Sequence, residues 1–170
     1  TGDELIIPVP FWVSYQDQTL LNDATPVLLQ TREEDGYTIS QEALEAVITP
    51  RTKAIIVNSP NNPSGVMYSA EFMADIVSFC EKNNIYLIMD DIYHKLVFDG
   101  KKSPCCFKHT KKDTETSKVI AVNGVSKLYG MTGFRIGWAV APRPLVQIMT
   151  NVQGQITTTV SVLLQAAAEG

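Results

Sequence analysis

Three clusters of polar residues in this 170-residue chain are of types and spacings that could do chemistry. The richest is Asn123-Gly124-Val125-Ser126-Lys127, continuing through Gly130-Met131-Thr132-Gly133-Phe134-Arg135, where a lysine and an arginine stand eight residues apart among glycines. A lysine amine is a nucleophile once unprotonated, an arginine presents a planar fork of donors, and glycines permit close backbone approach. The second cluster is Met89-Asp90-Asp91-Ile92-Tyr93, which pairs a carboxylate with a phenol three residues on. The third is Asn58-Ser59-Pro60-Asn61-Asn62-Pro63-Ser64-Gly65, where prolines and a glycine fix a loop that presents amide side chains.

Each cluster follows a short apolar run of strand character. The pattern predicts strands at Asp3 to Pro8, Thr25 to Gln30, Lys53 to Asn58, Ile85 to Asp90, Val119 to Val122 and Ile136 to Ala141. Between them, Trp12 to Asn22 reads as a helix. Ser40 and Ser69 stand at N-cap positions ahead of stretches with one apolar face: Leu44, Val47 and Ile48 in one, Phe72, Ile76, Val77 and Phe79 in the other. Strands alternating with amphipathic helices imply an α/β fold, a three-layer α/β/α arrangement around a mostly parallel sheet, because parallel neighbours need helical crossovers. In such sheets ligands sit beyond the carboxyl ends of the strands, where the three clusters fall.

An Asn-Pro loop is commonly a turn and a strand-end aspartate commonly caps a helix, so each cluster alone is ambiguous. Taken together and in this order they resemble the fold-type I pyridoxal-phosphate (PLP) enzymes, within them the class I and II aminotransferases. Gly2-Asp3-Glu4, Pro10-Phe11-Trp12-Val13-Ser14-Tyr15 and the segment Tyr93 to Gly100 extend the resemblance over nearly the whole chain. It implies an aminotransferase that passes an amino group from an amino acid to a 2-oxo acid. Lys127 would be the Schiff-base lysine that also carries the proton between the substrate α-carbon and the cofactor.

By the same resemblance Asp90 pairs with the cofactor ring nitrogen and keeps it protonated, with Asp91 as the alternative candidate. Asp90 is preferred because Tyr93 lies three residues after it and side chains alternate faces near a strand end. Tyr93 and Asn62 would hydrogen-bond the phenolic oxygen, Arg135 would clamp the phosphate, and Trp12 would stack on the pyridine face. Packing is the rival reading for Tyr93 and for Trp12. The chain departs from the family at Gly124, where many members carry a phosphate-binding serine; Ser126 is the nearest substitute. His94 and His109 follow no metal-ligand spacing and read as non-catalytic.

Composition narrows the classes. With 45% apolar and 19% charged residues the chain has the makeup of one globular domain, and a net charge of -4 argues against a nucleic-acid surface. Six lysines and His109 between Lys101 and Lys118 are interrupted by acidic and turn residues and read as a solvated loop. Cys80, Cys105 and Cys106 lack C-x-x-C spacing, so a reducing, cytoplasmic compartment is expected, and no apolar run is long enough for a membrane span. Both ends read as cut. Residues 1–170 are expected to be the central part of the PLP-binding large domain, without its N-terminal segment and the small C-terminal domain that carries the substrate-carboxylate arginine. The full-length parent is expected to be a homodimer. A carbon-sulfur β-lyase of the same fold, or a PLP-sensing aminotransferase-like domain of a transcription regulator, are the rival functions.

Overall fold

A computed structural model of the chain describes residues 2–169; Thr1 and Gly170, at which the chain reads as cut, lie outside the described residues. Six strands form one sheet among the described residues: β1 (Glu4–Val9), β2 (Thr25–Gln30), β3 (Thr52–Asn58), β4 (Tyr86–Asp90), β5 (Val119–Gly124) and β6 (Gly137–Val140). Their order is β2-β1-β3-β4-β5-β6, with every neighbouring pair parallel except β5 and β6, which run antiparallel.

Alternation along the strands splits the sheet into two faces. Ile6, Ile55, Val57, Leu87, Met89 and Val119 are buried on one face against Leu44 of α2 (Gln41–Val47) and Met73, Ile76, Val77 and Cys80 of α3 (Ala70–Lys82). Ile7 and Ile56 point to the other face, where Tyr15 of α1 (Ser14–Leu21) packs on them. Helices therefore lie on both faces, giving the three layers expected of a sheet whose strands are apolar on both sides. Full burial of side chains such as Ile55, Met73 and Leu87 stabilises the fold by about 1.5–3 kcal/mol each.

The helix starts follow from their caps. The Ser40 Oγ accepts from the Ala43 N–H at 3.1 Å and the Ser69 Oγ from the Phe72 N–H at 3.1 Å, each satisfying an otherwise unpaired donor of the first turn. At the amino end of the sheet, buried Glu4 ties β1 to the segment before β3. It accepts from Thr49 at 2.5 Å and pairs with Arg51 at 2.6 Å, and these hydrogen bonds hold its carboxyl below the usual range.

Two expectations shift. The helix expected from Trp12 to Asn22 is shorter, with Trp12 preceding its first turn. Strand β5 runs two residues past Val122, because β6 turns back and pairs Asn123 with Trp138 and Gly124 with Gly137. Helices α4 (Arg143–Ile156) and α5 (Val162–Glu169) follow, with Ile148, Val152, Ile156 and Leu163 exposed. No helix of the described residues is long and apolar enough to cross a membrane.

Candidate active site

Because β3, β4 and β5 are parallel, their carboxyl ends fall side by side. Asn58 sits opposite Asp90, and Asp90 opposite Val122. The chain leaves the sheet in three loops around this row. A cavity of about 670 Å³ lies there, and its lining includes Trp12, Asn62, Asp90, Tyr93, Lys127 and Arg135. All six residues singled out in the sequence thus meet in one place.

The Lys127 and Arg135 positions come from one excursion, residues 125–136, between β5 and β6. The hairpin returns the chain on itself, closed at its base by the Val125 N–H donating to the Ile136 carbonyl at 3.2 Å. Arg135 ends a 3-10 turn, Thr132–Phe134, in the left-handed region at φ 54°, ψ 40°. That conformation costs a non-glycine residue roughly 1–2 kcal/mol, so the surrounding loop must hold it. The Arg135 guanidinium donates to the Thr132 carbonyl at 3.1 Å and stays exposed, and the Lys127 Nζ lies 6.0 Å from the centre of the Tyr93 ring.

Gly124 is explained by this hairpin. A Cβ built on it would stand 2.7 Å from the Ile136 carbonyl oxygen and 3.3 Å from the Cα of Gly137, both backbone atoms that cannot move aside. A serine is therefore sterically barred three residues before Lys127. Ser126, which lines the cavity, is the hydroxyl this backbone can offer instead.

Asp90 and Asp91 part ways at the end of β4. The Asp90 carboxylate faces α1: its Oδ2 accepts from the Tyr15 phenol at 2.5 Å and its Oδ1 from the Ile92 N–H at 3.1 Å. Asp91 does not line the cavity; it stands beside buried Cys106, whose thiol burial and the Asp91 charge push up to about 12. Such a thiol is inert at neutral pH. Burial and, second, the Asp90 charge push the Asp91 carboxyl up from 3.8 to about 7.

This shift has a stability consequence. Between about pH 4 and pH 7 folded Asp91 keeps a proton that the unfolded chain releases, so stability from this group falls as pH rises through that window and levels off above it. An Asp91→Asn variant is therefore expected to match the parent near pH 4 and to exceed it at pH 8 by at most ~4 kcal/mol. Urea unfolding across this range checks the expectation, and a pH-independent difference would place the buried charge elsewhere.

Two residues that the sequence did not single out organise the site. Buried Asn58 joins two of the loops: its Nδ2 donates to the Asp90 carbonyl at 2.9 Å and its Oδ1 accepts from the Asn62 N–H at 2.8 Å. The other is Tyr15, 5% exposed, which holds Asp90 and meets Trp12 edge to face at 5.5 Å. Trp12 itself is 43% exposed, more than a core residue shows. His94 lies outside the cavity lining, its Nδ1 2.8 Å from the Asp91 carbonyl and 2.9 Å from the Asn123 amide.

A mostly parallel sheet with an amine, a carboxylate, a guanidinium and an aromatic face gathered around a cavity beyond its strand ends defines an α/β protein. The family model described as aminotransferase class I and II matches residues 1–170, and the chain belongs to that family. It is 41% identical over 167 residues to an asparagine–oxo-acid transaminase of Streptococcus mutans, covering 98% of this chain and 42% of that protein. An aspartate aminotransferase of Bacillus subtilis is 39% identical over 166 residues. Among solved structures, the aspartate aminotransferase of Rhizobium meliloti superposes with a TM-score of 0.92 at 40% identity, over 98% of this chain and 42% of that one. The Thermus thermophilus aspartate aminotransferase solved with maleate gives 0.91 at 35% identity, with the same two coverages. The chain thus spans about two fifths of the length of the curated relatives it matches.

Proposed function

We propose that the full-length protein containing this chain is a PLP-dependent aminotransferase that moves an amino group from an amino acid to a 2-oxo acid. The observation that carries this reading is the meeting of Lys127, Asp90, Tyr93, Asn62, Arg135 and Trp12 around one cavity at the strand ends. The donor set fits the group. An exposed amine suits an aldehyde, a carboxylate suits a pyridinium nitrogen, a phenol and an amide suit the ring's oxygen, and an exposed guanidinium suits a phosphate. Ser126, in the same wall, adds a hydroxyl to that set.

When bound, PLP supplies an electron sink that makes the α-proton of an amino acid removable. In this reading the chain supplies the rest. Lys127 would hold the group covalently and, once freed, would act as the base that accepts the substrate's α-proton and as the acid that gives it back. Asp90 would face the ring nitrogen with its carboxylate, and Trp12 would offer its aromatic face to the ring. Tyr93 and Asn62 would donate hydrogen bonds to the negative oxygen of the ring.

The chain itself we read as the central part of the cofactor-binding large domain, with the parent a homodimer and, given three free cysteines, cytoplasmic. The relatives named are transaminases, which supports this reading over a lyase or a cofactor-sensing regulator. The full-length protein incubated with PLP is expected to develop a visible absorbance band, and borohydride reduction followed by peptide mapping should place the label on Lys127. Labels scattered over surface lysines would sink the assignment.

A further inference from the structure

We infer that Tyr15 is a positioning residue for the Asp90 carboxylate, presenting it in one fixed plane to the ring nitrogen of the cofactor. The inference rests on the functional reading above and concerns a group that this reading leaves without a task.

The geometry is specific. The Tyr15 hydroxyl donates to Asp90 Oδ2 at 2.5 Å, and the Ile92 N–H donates to Oδ1 at 3.1 Å, so the two oxygens are held from two directions and rotation about the carboxylate axis is blocked. Each carboxylate oxygen retains a second lone pair for a further donor. Tyr15 is fixed in turn. Its ring is 5% exposed, packs with Ile7 and Ile56, and takes the edge of Trp12 at 5.5 Å with the planes 86° apart.

Burial and the nearby Asp90 charge push the Tyr15 phenol well above its ordinary range, so it stays protonated and can only donate. Packing alone does not require the hydroxyl, because a phenylalanine would fill the same volume. The hydroxyl would otherwise be a buried polar group with a desolvation cost, and in this site its one partner is the carboxylate at the end of β4. With one oxygen held by Tyr15 and the other by the Ile92 N–H, the carboxylate's remaining lone pairs would meet the ring nitrogen's proton in a single orientation.

The test uses the full-length protein loaded with PLP labelled with ¹⁵N in the ring, and compares it with Tyr15→Phe. The ring-nitrogen resonance of the variant is expected to move toward that of unprotonated pyridine, with kcat lower by about tenfold and KM changed far less, as for loss of one hydrogen bond to a charged group. A resonance and kcat equal to the parent's would overturn the inference while leaving the functional reading intact. A parent protein that binds no labelled cofactor would sink both. If Tyr15→Phe does not fold, Tyr15→His retains a ring N–H donor: a parent-like resonance in it supports the inference, and a shifted one in a folded Tyr15→His overturns it.

Discussion

Replacing Lys127 with alanine in the full-length protein is expected to reduce turnover on the order of ten-thousandfold or more, the largest effect of any single change in the site. On the proposed function two contributions would disappear together: the covalent attachment point and the group that carries the proton. Little else should change. Lys127 is exposed and lies outside both apolar clusters, so its removal leaves no cavity in the core and the unfolding midpoint should stay near the parent's. Cofactor retention is expected to persist weakly through Arg135 and Asp90, while borohydride no longer fixes the label to the protein. A variant that turned over within tenfold of the parent would remove Lys127 from the chemistry.

The second large effect is expected at Asp90. An Asp90→Ala variant should slow the proton-transfer step by about a thousandfold, the scale seen when a preorganised charge facing a reaction centre is lost. Lys127 would still accept the label, since its loop is closed by contacts within residues 125–136. The split is diagnostic: labelling retained with single-turnover rates collapsed assigns Asp90 to electronics, whereas loss of both would assign it to the architecture of the cavity. The same variant strips Tyr15 of its partner and leaves a buried phenol unsatisfied, so a modest fall in stability, about 1–3 kcal/mol, should accompany the kinetic loss.

Much of this was legible in the sequence, for identifiable reasons. The strands were readable because a sheet covered on both faces needs runs such as Ile85 to Met89 that are apolar throughout, and the starts of α2 and α3 because Ser40 and Ser69 stood in cap positions. Six of the residues that line the cavity were readable because their motifs, each ambiguous alone, resemble a known family when taken together in order.

What escaped depends on distance in sequence. Tyr15 lies 75 residues from Asp90, and nothing in the pattern around either residue announces that they touch. The role of Asn58 needs both its neighbours, the Asp90 carbonyl and the Asn62 N–H, to be in place before its amide has a reason to be there. Gly124 read as a missing serine; the cause is the Ile136 carbonyl, which arrives only when β6 turns back antiparallel.

That antiparallel return separates the site into parts with different folding histories. Lys127 and Arg135 are brought together within a single hairpin, so the loop that closes them is short and its entropic cost small. Asp90 and Tyr15 meet only after β1, β3 and β4 have found their parallel register, a set of long-range contacts that forms slowly. Mutations that loosen the parallel core should therefore impair the pairing at Asp90 before they disturb the lysine and arginine. On the proposed function, a damaged protein of this kind would still hold PLP while having lost the means to use it.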